Sequence, residues 1–191
     1  METMIKKYQQ KFKKAKDEMS KWDDLQSRLI SHFRNASSII SRLQFKLCWR
    51  NGSCSDAKAD GFFANHFTFH EKYNIFREDF RGVVLSLEKV QHDGKQLAKG
   101  SFNQMNKKQL QHRIGVKPTL TNCIDGLVLL HEIYHDEYLL KSSLVSALSA
   151  LALKPNSGDL GALHQLLADQ PNILNEEVQY IFDIVFAEEI C

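Results

Sequence analysis

Residues 131–135 read HEIYH. On a helix His131 and His135 lie one turn apart on one face, with Glu132 beside them. Zinc peptidases use that spacing: two imidazoles hold the metal and the glutamate activates water. A third ligand would have to come from downstream, where Glu176 and Glu177 follow Asn175. Two features oppose the catalytic reading. Asp136 and Glu137 follow directly, where a peptidase helix is buried and uncharged, and the upstream pattern offers no strand to hold a peptide. Short motifs with three fixed positions also recur by chance. The expectation is a pair of half-exposed histidines on a bundle helix, with a zinc-dependent peptidase as the rival.

A second set of metal-binding residue types is Cys48, Cys54, His66 and His70, spaced C-x5-C-x11-H-x3-H. Zinc fingers place two to four residues between the cysteines, so the first gap is too long. The intervening SDAKADGFFAN holds one lysine, a poor recognition helix. A small zinc-binding nucleic-acid module at 48–70 is therefore the other rival. Phosphate-loop, dinucleotide and nucleophile-elbow signatures are missing. The chain is expected to be no enzyme, with no catalytic residues, metal, cofactor or small-molecule substrate.

The elements that must position these residues are helical. Ile5, Tyr8, Phe12, Ala15, Met19, Trp22, Gln26, Leu29, Phe33, Ala36, Ile40, Leu43 and Leu47 recur at alternating spacings of three and four. That is a heptad stripe, with Gln26 its one polar member and Leu25 beside it. The alternation resumes at Phe76, Phe80, Val83, Leu87, Val90, Gly94 and Leu97. A third helix is expected over 120–153, capped by Thr119 or Thr121, with Pro155 and Gly158 ending it. A short helix, LGALHQLLA, and a last one, capped by Asn175, follow. The fold class is all-α: a long N-terminal coiled-coil hairpin plus a C-terminal helical module. The expected division is 1–103 for the coiled coil, interrupted by an irregular segment at 48–75, then a linker at 104–118 and the module at 119–191.

Composition sets the outer bounds. With 43% apolar and 25% charged residues, the chain of 191 residues is ordinary for a globular protein. A net charge of +2 supplies no global drive toward nucleic acid or anionic lipid. Charge is nevertheless uneven. Lys6, Lys7, Lys11, Lys13, Lys14, Lys16 and Lys21 crowd the start, and Glu176, Glu177, Asp183, Glu188 and Glu189 the end. METMIKKYQQKFKK lacks the apolar core of a signal peptide, and no run nears the ~18 apolar residues of a membrane span. Four unevenly spaced cysteines suit reduced thiols, so nucleus or cytoplasm is the expected location.

Two stretches carry a resemblance. Lys21, Trp22 and Leu25, then Ala36 and Ile39, match a Lys-Trp-x-x-Leu and Ala-x-x-Ile pattern. Tyr134, Glu137, Leu139, Leu140 and Lys141 match Tyr-x-x-Glu-x-Leu-Leu-Lys, and Gln170-Pro171 follows. In these the chain resembles the cyclin-dependent kinase 2-interacting protein family, in an uncharacterised plant branch, over 1–47 and 76–191. The resemblance implies a helical adaptor whose interaction or packing residues include Trp22, Leu25, Leu29, Phe33, Ala36, Ile40, Tyr134, Glu137, Leu139, Leu140, Lys141, Gln170 and Pro171. It also implies protein partners: a cyclin-dependent kinase, and an AAA-type ATPase assembly serving ribosome maturation and genome maintenance. A second small subunit of that assembly has a similar C-terminal layout.

Residues 48–75 break the heptads where that family continues a coiled coil. Back-translated and shifted by one base, the segment yields a strong helix former with four-three spacing, so we read it as out of frame. Transcript sequencing is expected to show a frame restored near Ile75; an abundant message with an intact frame through CWRNGSC overturns this.

Overall fold

A computed structural model describes residues 2–48, 59–102, 118–151 and 157–187, with side chains at 2–39, 73–99, 118–147 and 158–187. It is all-α. The helices are α1 (Glu2–Cys48), α2 (Ala59–Phe102), α3 (Leu120–Leu151), α4 (Ser157–Asp169) and α5 (Asn175–Val185). No strand occurs among the described residues. Helix α1 runs 47 residues because nothing between Glu2 and Cys48 is glycine or proline. Thr119 caps α3 by accepting the Asn122 backbone N–H at 3.0 Å. Asn175 does not cap α5: the N-cap position is Leu174, with no side-chain cap bond, and Glu176 and Glu177 face the helix dipole instead.

Two compact units result: Met1–Trp22, Gly82–Glu137 and Asn172–Cys191 form the first, Asp23–Arg81 and Tyr138–Pro171 the second. The expected boundaries at 103 and 119 do not delimit them, since each long helix gives one part to each unit. In the first unit the stripe of α1 meets three helices rather than a single coiled-coil partner. The Tyr8 hydroxyl donates to the Gly94 carbonyl on α2 at 2.8 Å. Phe12 meets Phe182 of α5 edge-on at 5.7 Å, and Trp22 meets Tyr134 of α3 edge-on at 5.1 Å. Tyr8, Phe12 and Trp22 are wholly buried.

Glycine permits this close approach. A Cβ at Gly126 of α3 would stand 2.9 Å from Ile181 Cγ2 and 3.1 Å from Phe12 Cζ. In the second unit Leu25, Leu29, Phe33 and Ala36 of α1 are buried, as are Phe76 and Phe80 of α2, Leu144 of α3 and Leu160 of α4. Ile40 lies outside the described side chains, so its packing role cannot be placed.

The expected irregular segment 48–75 needs correction, because α2 begins at Ala59. Its residues 59–75 contain no proline and only Gly61 as a breaker. A helix already formed from Phe76 onward extends backward at one hydrogen bond per added residue, without new nucleation. Residues 49–58 and the expected linker at 103–117 lie outside the described residues.

In denaturant titrations Gly126→Val is expected to lower stability by about 2–3 kcal/mol through overpacking. Gly82→Ala, where nothing lies within 4 Å of the added carbon, is expected to raise it by about 0.5–1 kcal/mol.

Candidate functional site

The Tyr-x-x-Glu-x-Leu-Leu-Lys stretch is inverted relative to its polarity. Glu137 is 0% exposed and Lys141 2%, whereas Leu139 is 49% exposed and Leu140 half-buried. Tyr134 is buried as well. Position on the helix decides this: Tyr134, Glu137 and Lys141 follow three-four spacing and share a face, while Leu139 points elsewhere.

Within the second unit, Lys141 Nζ donates to Gln26 Oε1 at 2.8 Å and to the Leu167 carbonyl at 3.4 Å. Gln26 Nε2 donates to that same carbonyl at 2.6 Å. The Phe80 ring lies 5.7 Å from the ammonium, within cation–π range. Leu167 belongs to the last turn of α4, whose carbonyls have no partner inside the helix. A cation and an amide at that end satisfy one of them and suit the dipole. The helix stops because Gln170 takes a left-handed φ of 47° and Pro171 cannot continue it. Gln26, Lys141, Gln170 and Pro171 thus belong to one device, the anchored end of α4.

Beside Lys141 is a recess of about 10 Å³ lined in part by Leu29, Phe76, Tyr138 and Ser142. The buried Ser142 hydroxyl has no protein partner there. The volume suits roughly one water and no larger ligand.

Within the first unit, Glu137 Oε2 accepts both the backbone N–H and the side-chain amide of Asn172, each at 3.2 Å. The carboxylate fixes the chain just ahead of α5. Cys123 is a buried free thiol, and burial pushes its pKa to about 12, so it is a packing group rather than a nucleophile. Tyr8 is likewise pushed up to about 12 by burial, with Cys123 adding to the effect.

The His131 and His135 rings lie 5.7 Å apart on α3, tilted by 32°; both residues are half-buried, and Glu132 is exposed. No cluster of three or more His, Cys, Asp or Glu residues placed to hold a metal occurs among the described residues. The arrangement lends the peptidase reading no third ligand. Cys54 lies outside the described residues, and the side chains of Cys48, His66 and His70 outside the described side chains, so the 48–70 metal set has no geometry here. Burial lowers the His131 pKa first, followed by the neighbouring His135; Glu88 and Glu132 oppose the shift and Lys95 adds to it.

These residues fall within the range matched by a known family. Residues 2–56 and 77–190 match the CA109-like family, the C1orf109-like ribosome biogenesis proteins. The chain belongs to this family. Nothing matches among curated proteins or among solved structures. The family pattern skips 57–76, which overlaps the segment at 48–75 whose composition breaks the heptads. It is the C1orf109-like family that is matched, so the kinase-interacting name and the plant branch are finer than this assignment.

Of the residues expected from the sequence to serve interaction or packing, Trp22, Leu25, Leu29, Phe33, Ala36, Tyr134, Glu137 and Lys141 are buried and Leu139 is exposed. Sequence reasoning missed Tyr8–Gly94, Asn172 and the Leu167 carbonyl. The lone polar Gln26 was the available signal for the last.

Lys141→Met is expected to cost about 1–3 kcal/mol, since it leaves the buried Gln26 oxygen short of a donor. Gln26→Leu is expected to cost a similar amount. The double variant should fall short of the sum by at least about 0.5 kcal/mol, as measured by denaturant titration; strict additivity contradicts the shared network.

For His131 the folded pKa lies below the ordinary 6.5. The unfolded chain therefore binds the proton first, and stability declines as pH falls through about 6.5. His131→Gln is expected to flatten that decline in melts between pH 7 and 5.

Proposed function

We propose that the chain is a non-enzymatic helical adaptor that holds protein partners together in ribosome biogenesis. Membership of the C1orf109-like family over most of the chain carries this reading. The internal polar groups support it: Gln26, Lys141 and Glu137 are committed to fixing helix ends rather than set around an open cleft. Exposed Leu85, Leu139, Leu166, Leu174 and Tyr180 offer apolar contacts of the kind partner surfaces use. None of the described helices is long and apolar enough to cross a membrane.

The finer reading follows the resemblance in the Trp22 and Tyr134–Lys141 motifs. Under it the partners are an AAA-type ATPase assembly and a cyclin-dependent kinase, and the chain works in the nucleus, the cytoplasm or both. Affinity purification of the tagged full chain, followed by mass spectrometry, is expected to recover ATPase subunits and ribosome assembly factors in stable amounts. Recovery of no stable protein partner sinks the adaptor. Metal analysis of the purified chain separates the rivals. Stoichiometric zinc lost on His135→Ala would restore the peptidase, and zinc lost on Cys54→Ser but kept in His135→Ala the zinc module.

A further inference from the structure

We propose that the outer face of α1 between Thr3 and Lys16 binds the phosphate backbone of double-stranded RNA. That stretch has six lysines and no acid. The buried stripe of Ile5, Tyr8, Phe12 and Ala15 fixes which way the remaining positions look. Thr3, Lys6, Lys7, Gln10, Lys13 and Lys14 are all exposed. Lys6 and Lys13 are seven apart, as are Lys7 and Lys14, so the four form two rows along one side, with about 10.5 Å between successive members.

Of the other lysines of the region, Lys16 is exposed and two are engaged. Lys11 pairs with Asp93 at 2.6 Å and Lys21 with Glu18 at 2.7 Å. Lys13 lies 6.0 Å from the Phe186 ring, a contact that leaves its charge uncompensated. Lys6, Lys7 and Lys14 have no carboxylate partner among the described residues. The face is flanked by two exposed acids, Glu2 one turn before Lys6 and Asp17 one turn after Lys13 and Lys14.

The identity of the occupant follows from what the face lacks. A protein interface concentrates its energy in a desolvated apolar or aromatic centre with a polar rim. Every exposed residue on this face is a lysine, a threonine or a glutamine, so there is no such centre. Single-stranded nucleic acid is held by stacking bases on aromatic rings, and the one ring beside this face, Phe186, is half-buried between Lys13 and a stacked Phe182. A rigid row of cations without apolar groups suits a duplex polyanion, bound through release of its counterions. Membership of a ribosome biogenesis family places structured RNA within reach. The proposal does not depend on the adaptor reading.

The test is fluorescence anisotropy of the full chain with a 20-base-pair RNA duplex of arbitrary sequence. Binding is expected in the micromolar range at low salt. The log–log slope against salt should be about −3 to −4, as for about four phosphates. Lys6→Gln, Lys7→Gln, Lys13→Gln and Lys14→Gln together should weaken binding by about tenfold or more and flatten that slope. The same variant should keep the wild-type melting curve and the wild-type partners in pull-down, which separates loss of RNA binding from loss of the adaptor. Keeping Lys13 and changing the other three gives a second variant that leaves the Phe186 contact intact; an intermediate loss is expected. Binding that these changes leave unaltered overturns the proposal. So does equal or tighter binding to polyglutamate, or to vesicles with anionic headgroups.

Discussion

A lysine ammonium leaves water only where other groups replace its hydrogen bonds. The second unit is organised around that requirement at Lys141. The replacements are an amide oxygen, a helix-end carbonyl and the face of a phenyl ring. Each restricts the sequence elsewhere. The amide oxygen requires Gln26 in a stripe that is otherwise apolar. The carbonyl requires α4 to end soon after Leu167, which Gln170 and Pro171 bring about. The ring requires Phe80 on α2. Four of the chain's unusual positions thus answer to one buried charge, and the short helix α4 is held by its end rather than by its faces alone.

Much of this was legible in part. The three-four spacing of α1 marked the right stripe, because hydrophobic period reports which residues share a face. It could not report how many neighbours that face would meet. Tyr8, Phe12 and Trp22 touch three different helices, since large aromatic side chains reach past a two-stranded seam. In α3 the period is weaker, because apolar residues occur nearly all round it. Polarity then misleads: Leu139 reads as core and Lys141 as surface, and the structure reverses both. Only the partner residues decide the matter, and those lie 26 and 115 positions away in sequence.

The segment before Phe76 shows the opposite error. Its composition suggested an interruption, yet the backbone from Ala59 is helical. Composition measures what a segment could do alone, whereas a helix that is already nucleated extends through mediocre residues at little cost. The family pattern omits 57–76 while matching both sides. Helical backbone and foreign sequence are compatible in the same place, because the backbone hydrogen bonds of a helix make few demands on side-chain identity.

The HEIYH motif illustrates why short chemical patterns need their surroundings. The helix does bring His131 and His135 together, so the spacing argument was sound as geometry. A metal site also needs further ligands converging from other elements. Here Glu137, the buried carboxylate of the same helix, lies on the face opposite the two histidines and is committed to Asn172. The carboxylates at 176 and 177 sit in the first turn of α5, where they complement its dipole. What remains at His131 is an imidazole whose protonation is opposed by burial and by its neighbour. His131 thereby adds a pH sensitivity to the first unit, and its energetic effect is felt in folding.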